Sequence, residues 1–511
     1  MADAAAGANP PPRIGTKLLY GFGSVAFGIK DGGFTIFLLF FYNQVLGLSA
    51  SAVGLAIAIA IVADAVFDPI IGEISDNWRA RLGRRHPFMY GAALPVALFY
   101  FLLWNPPHWT GGALFGYLVV VAVLVRFFIA CYEIPSSALA PELSPDYNQR
   151  TSLLAYRWMF GLLGGGVMLI VAFALFLVPT RAQPLGILNH DGYLTYGLVA
   201  AIVMAVSILV SAAGTHSRIA GFRKPPAKPR AALREIARQM IATLSHRSLI
   251  LVTVSGLFSG MASGMGNALN TYFGTYFWRF TAAQLSVIGV AALLATALAV
   301  AIAPLISARF EKKRGFMVAA FASLFVNNIT MTLKLLGLLP PSGSGALLAI
   351  FFVSITVGVA LAITAGILIS SMIVDVVEDS ERQTGRRSEG LISASLSFVN
   401  KATSGLGLLA GSVLIDIVHL PVNAAPDVVD RIAPHAVRDL VLIYMPLQLV
   451  LWFIAISLVT GYRIDRKTHE DNLERLAQIA VLAEVSPVSA MGGSGDETAE
   501  DAALAVRAPG A

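Results

Sequence analysis

Twelve apolar stretches long enough to cross a bilayer recur along this chain, at residues 17–45, 53–75, 87–105, 112–139, 152–179, 194–215, 248–277, 283–307, 315–338, 345–376, 390–419 and 438–462. A helix spans the hydrocarbon core with about 20 mostly apolar residues. Only 13% of the 511 residues are charged and 56% are hydrophobic, whereas soluble domains carry about 25% charged residues. The pattern predicts an all-α membrane protein with lipid as its main solvent and partner, and excludes an ordinary soluble domain. The single cysteine, Cys131, has no internal partner and reads as a small buried residue. The first thirteen residues lack the apolar core of a signal peptide.

The loops predict the orientation. The second loop carries Arg79, Arg81, Arg84 and Arg85, and the sixth carries Arg218, Arg223, Lys224, Lys228, Arg230, Arg234, Arg238 and Arg247. The eighth carries Arg309, Lys312, Lys313 and Arg314, and the tenth Arg382, Arg386 and Arg387. The odd loops hold mainly Arg181, Arg279, Arg431 and Arg438. Basic residues mark cytoplasmic loops, so the even loops and both termini are expected in the cytoplasm of a cell with a bacterial-type inner membrane. The net charge of +6 sits in these loops and is not a nucleic-acid signal. The longest internal polar stretch contains the stiff run Lys224-Pro225-Pro226-Ala227-Lys228-Pro229. It divides the chain into a cytoplasmic segment 1–16, a six-helix bundle 17–215, a linker 216–247, a second six-helix bundle 248–462 and a partly disordered tail 463–511. Each half has its most compact basic turn at its second loop, a weak internal repeat of the kind two-bundle transporters show.

Several charges fall inside the apolar stretches. A charged residue at the centre of a spanning helix costs on the order of 2.5–3.5 kcal/mol on insertion scales, so such residues are functional by default. Here they are Asp31, Asp64, Asp68, Arg126, Glu133, Arg157 and Lys401. Asp64 and Asp68 are one helical turn apart on one face. Two carboxylates so close in low dielectric require a shared proton or a cation between them, which points to a Na⁺ or H⁺ site built from Asp64, Asp68 and Glu133. The alternative is that these acids pair with Arg126, Arg157 and Lys401 to hold helices together. Lys401, alone in the second half, is a charge partner across a central cavity, a substrate ligand or a competitor of the cation. Pro69 and Pro135 each free a backbone carbonyl four residues earlier, on Ala65 and Cys131, to line a polar cavity or simply to kink a helix.

Four blocks of residues together resemble the glycoside–pentoside–hexuronide:cation symporters of the major facilitator superfamily. They are Tyr20-Gly21-Phe22-Gly23 with Lys30-Asp31; Asp64-Ala-Val-Phe-Asp68-Pro69 with Asp76 and Gly83-Arg84-Arg85; Glu133-Ile-Pro135 with Glu142 to Asp146, Arg150 and Tyr156-Arg157; and Asp375-Val-Val-Glu378-Asp379 with Arg386, Glu389 and Lys401. The blocks run in order over roughly residues 14–465. The resemblance implies a twelve-helix major facilitator fold. It also implies a cation site on Asp64, Asp68 and Glu133 (metal ligands if the ion is Na⁺), and solute binding by Asp31, Arg157 and Lys401. No cofactor beyond the coupling ion is expected, and the protein is expected to act as a monomer. The family's melibiose permeases differ at Glu133, where they have aspartate, at Ala130, where they have a threonine, and at Ser137 and Gly366, where they have tryptophans. The missing hydroxyl leaves H⁺ open beside Na⁺. The missing aromatic platforms argue against the same galactoside, and leave a larger glycoside or a lysophospholipid as the solute.

The expected function is cation-coupled symport of a glycoside or similar solute by alternating access. The charges Asp76, Arg84, Arg85, Asp375, Glu378 and Arg386 then form an inside gate whose breakage favours the inward-open state; the alternative is a solvated basic loop. An intramembrane prenyltransferase is a rival reading, because Asp64-x-x-x-Asp68 and Asp375-x-x-x-Asp379 resemble paired Mg²⁺–diphosphate motifs. The two pairs lie at different depths, which disfavours it. A non-transporting sensor lacks an attached soluble domain.

Overall fold

The computed structural model describes residues 12–144, 146–181, 183–219, 247–384, 389–422 and 426–461. Within them the twelve expected stretches are helical. They are α1 (Ile14–Val45), α2 (Ala50–Asn77), α3 (His86–Trp104), α4 (Gly111–Ser137), α5 (Tyr147–Val171, continued by a π turn Ala172–Phe176) and α6 (His190–His216). The second half has α7 (Arg247–Tyr272, continued by a π turn Phe273–Phe277), α8 (282–310), α9 (312–335), α10 (Gly345–Thr384), α11 (Glu389–Ile417) and α12 (Pro426–Thr460). Helices α8 and α9 are separated only by Glu311, whose φ of 60° and ψ of 166° break the helix within the basic turn. By length and composition, nine stretches of the described residues are able to cross a membrane, one of them α8 and α9 together. The linker between α6 and α7 and both chain ends fall outside the described residues.

Local sequence explains several boundaries. Asp146 caps α5 by accepting the Gln149 N–H at 2.8 Å, and Thr281 with Gln284 forms a capping box at α8. Leu94, Leu305 and Phe325 are 75, 69 and 68% exposed, as side chains that face lipid rather than water. π turns interrupt α1 at Gly33–Phe37 and Phe41–Val45. With those closing α5 and α7, they sit toward the end of the bundle that carries the odd-numbered loops.

In the first half α1 packs on α5 and α6, α2 on α4, and α3 on α4 and α6; in the second, α7 packs on α11 and α12, and α8–α9 on α10. Two of these packings bring backbones together. A Cβ on Gly28 of α1 would lie 1.8 Å from the Gly161 carbonyl oxygen of α5, and one on Gly264 of α7 would lie 2.2 Å from the Ser404 carbonyl oxygen of α11. Only glycine permits either approach. The halves meet through α2 with α11, α5 with α8, and α1 with α7. Asp31, Asp64, Asp68, Arg157 and Lys401 lie along these inner helices, and Arg126 and Glu133 on α4 beside α2.

Candidate functional site

Asp64 and Asp68 lie in the middle of α2, one turn apart, on the face toward α11. Lys401 of α11 reaches both: its Nζ is 3.1 Å from Asp64 Oδ2 and 2.5 Å from Asp68 Oδ2. Arg126 of α4 donates from Nη1 to the same Asp64 oxygen at 3.2 Å, and its guanidinium stands 4.8 Å from the Phe34 ring centroid. Two carboxylates and two cations therefore balance. The charge that resolves the repulsion between the aspartates is the protein's own ammonium, supplied from the other half of the chain. Arg126, which has no evident partner in the sequence, completes the group.

Glu133 does not join it. Among the described residues, no three His, Cys, Asp or Glu side chains converge as a metal-binding group, so the expected triad of Asp64, Asp68 and Glu133 is not assembled in this conformation. Glu133 is seven residues beyond Arg126, about 10 Å further along α4. The charges acting on Glu133 come from Lys30, Asp31, Arg157 and Lys401. Lys30 is buried and its Nζ lies 2.7 Å from Asp31 Oδ1. It also stands 4.7 Å from the Phe27 ring centroid. Arg157 donates from Nη1 to Ser136 Oγ at 2.6 Å and lies 5.4 Å from the Tyr20 ring centroid. Lys30 and Asp31 thus form an ion pair on α1, and Arg157 is held by Ser136 and Tyr20 within the first half. Lys401 bonds to the aspartates of α2 rather than to Asp31 or Arg157. Gly366 borders open space, with nothing within 4 Å of an added Cβ.

The end of the bundle with the odd loops is closed across the halves. The Asp416 carboxylate, in the last turn of α11, accepts the N–H groups of Ala50 at 3.0 Å and Ser51 at 2.8 Å. It caps α2 from the opposite half, where an anion also meets the positive end of the helix dipole. Tyr272 Oη donates to Asn43 Oδ1 at 2.8 Å, Tyr276 Oη to Gln44 Oε1 at 2.6 Å and Thr271 Oγ1 to the Ile36 carbonyl at 2.6 Å. Asn43, Gln44 and Tyr272 are buried. At the other end, Arg85 meets Asp76 at 3.2 Å and Glu142 at 2.9 Å, and Arg84 also bonds Glu142. Burial pulls the Arg85 pKa down from its ordinary value, and Glu142 opposes that. All four of these residues belong to the first half. Asp375 and Glu378 fall on α10, but their side chains, and Arg386, lie outside the described residues.

Sequence reasoning passed over Lys30, Glu142 and Asp416 as site residues. Lys30 and Glu142 fall in the motif blocks, which is a usable signal. Asp416 is a lone acid closing an apolar stretch, and nothing local pairs it with Ala50.

Residues 19–466 match the sequence family described as MFS/sugar transport protein. The chain belongs to this family. It is a family of membrane transporters, not of enzymes, so the Mg²⁺–diphosphate reading of the aspartate pairs is set aside. The glycoside–pentoside–hexuronide:cation resemblance stands. The transporter is 23% identical to the uncharacterized symporter YnaJ of Bacillus subtilis over 90% of this chain and 94% of that protein. It is 37% identical to the uncharacterized symporter sll1374 of Synechocystis over 33% of this chain, a match that spans only 32% of that protein. Among solved structures it is similar to a bacterial homologue of the lysosomal transporter Spinster in an inward-facing, unoccupied conformation. The TM-score is 0.61 at 13% identity, over 90% of this chain and 100% of that one. At that identity the likeness establishes the fold, which is the major facilitator fold: twelve helices in two six-helix bundles.

Proposed function

We propose that this transporter is a cation-coupled symporter that carries an organic solute by alternating access, and that Asp64, Asp68 and Lys401 are its coupling group. The observation that carries the reading is the ammonium of Lys401 lying on both carboxylates across the two halves. A Na⁺ or H⁺ that occupies the aspartates must displace it. Released Lys401 is then free to turn toward Asp31, Glu133 and Arg157, where the solute is held. The basic residues of the even loops support a cytoplasmic position for that end in an inner membrane, which makes the closed end the outer one and the conformation inward-facing. The gate assigned to Asp76, Arg84, Arg85, Asp375, Glu378 and Arg386 is the counterpart that closes when the outer end opens.

The solute we favour is a glycoside, in keeping with the sugar-transport family. A lysophospholipid is the second reading, favoured by the open space at Gly366. Uptake into vesicles by Asp68→Asn tests the coupling group. Loss of accumulation driven by a Na⁺ or H⁺ gradient is expected. Cation-driven accumulation equal to that of the unaltered protein refutes the assignment.

A further inference from the structure

A cavity of about 360 Å³ lies within the outer part of the second half, beneath the Thr271–Ile36 bond, apart from the charged groups above. That volume is at the small end of ligand pockets, about 300–1,000 Å³. Helices α7, α8, α9, α10 and α12 line it, with Ile36 of α1 and Leu169 and Phe173 of α5 completing the wall from the first half. Its lining contains no Asp, Glu, Lys, Arg or His. It does contain four amides, Asn267, Asn270, Asn327 and Gln448, with Trp278 and Phe351 among its aromatic walls. Asn267 and Asn270, one turn apart on α7, make no hydrogen bond to other described residues and are exposed to the cavity. Asn327 donates from Nδ2 to the Ser323 carbonyl at 2.9 Å, which directs its Oδ1 elsewhere.

We propose that this cavity is a solute subsite for an uncharged sugar ring. This deepens the symport reading and rests on it. Each amide offers a donor and an acceptor together, the pair that adjacent ring hydroxyls need. The aromatic walls suit the apolar C–H face of the ring. An acyl chain would instead strip water from the Asn267 and Asn270 amides and return no hydrogen bond, which is the costly way to fill a pocket. An anionic head group finds no cation in the wall. The neutral ring is then anchored among Asn267, Asn270 and Asn327.

The test uses the full chain in lipid nanodiscs and follows the fluorescence of Trp278, taken as the difference between the unaltered protein and Trp278→Phe. The probes are methyl glucoside, methyl galactoside, methyl xyloside and lactose, set beside glucuronate and lysophosphatidylcholine. A saturable change with at least one uncharged sugar is expected, weakened about tenfold in Asn270→Ala, one hydrogen bond's worth. The conservative Asn327→Ser, with a smaller loss, serves if Asn270→Ala fails to fold. A Trp278 response confined to lysophosphatidylcholine or glucuronate, or to no probe, overturns the subsite. The vesicle experiment on Asp68→Asn separates the two readings: a silent Trp278 with cation-driven accumulation lost in Asp68→Asn condemns the cavity alone, and a responsive Trp278 with accumulation unchanged in Asp68→Asn condemns the coupling group alone.

Discussion

The end with the odd-numbered loops, outer under the proposed orientation, and the end with the even-numbered loops, inner under it, are built by different rules. At the outer end the contacts that close the rim cross between the halves: Asp416 to Ala50 and Ser51, Tyr272 to Asn43, Tyr276 to Gln44 and Thr271 to Ile36. At the inner end Arg84, Arg85, Asp76 and Glu142 bond within the first half. The outer contacts can report which way the protein faces. The inner cluster shapes one half. Between them the Lys401 pair is the only described ion pair at mid-depth that joins the halves.

The largest effect is expected at that middle level. Lys401→Ala leaves Asp64 and Asp68 facing each other, and removing one partner of a buried pair costs about 3–5 kcal/mol. The side chain of Lys401 is 37% exposed, so the lower figure, about 3 kcal/mol, is expected. Thermal unfolding in detergent reads it, and added Na⁺ or a lower pH should restore part of the loss by filling the vacated position. Glu142→Gln comes next. It weakens the bonds to Arg84 and Arg85 by about 1.5–2 kcal/mol, and should lower the unfolding temperature without changing which side the protein faces. Asp416→Ala should cost about 1 kcal/mol, the worth of a helix cap, but spend it on orientation. Labelling of Asn270→Cys from outside, in a Cys131→Ala background, should rise about fivefold. Tyr272→Phe removes one hydrogen bond and should raise the same labelling about twofold. Equal labelling in Glu142→Gln and Asp416→Ala would erase the difference between the two ends.

Much of this was legible in the sequence, and the reason is locality. A spanning helix is encoded by about twenty successive residues, so all twelve were found, even the α8–α9 pair parted by Glu311, although α10 runs eight residues past its expected end and α12 starts twelve before its expected beginning. An aspartate inside an apolar run is likewise a local signal, which is how Asp64, Asp68 and Lys401 were found. Who bonds to whom was not legible. Asp64 and Lys401 are 337 residues apart, and Asp416 and Ala50 are 366 apart. Those pairings depend on how two bundles meet. Glu133 was grouped with the aspartates by residue type and family likeness, and among the described residues no hydrogen bond or ion pair joins it to them. The cavity was missed for the same reason: its asparagines come from α7 and α9, and each alone looks like an ordinary polar residue.

The glycine contacts of α1 with α5 and of α7 with α11 have a mechanical consequence. Helices pressed backbone to backbone cannot slide independently, so each half turns as a stiff plate. A helix of about 30 residues is about 45 Å long, and tilting it by about 10° around its midpoint carries each tip about 4 Å. That is enough to part every bond at the outer rim at once. The same tilt scarcely moves a contact at the fulcrum, where Lys401 meets Asp64 and Asp68. Leverage therefore opens the rim, and under the proposed coupling the hinge yields only to exchange of one cation for another.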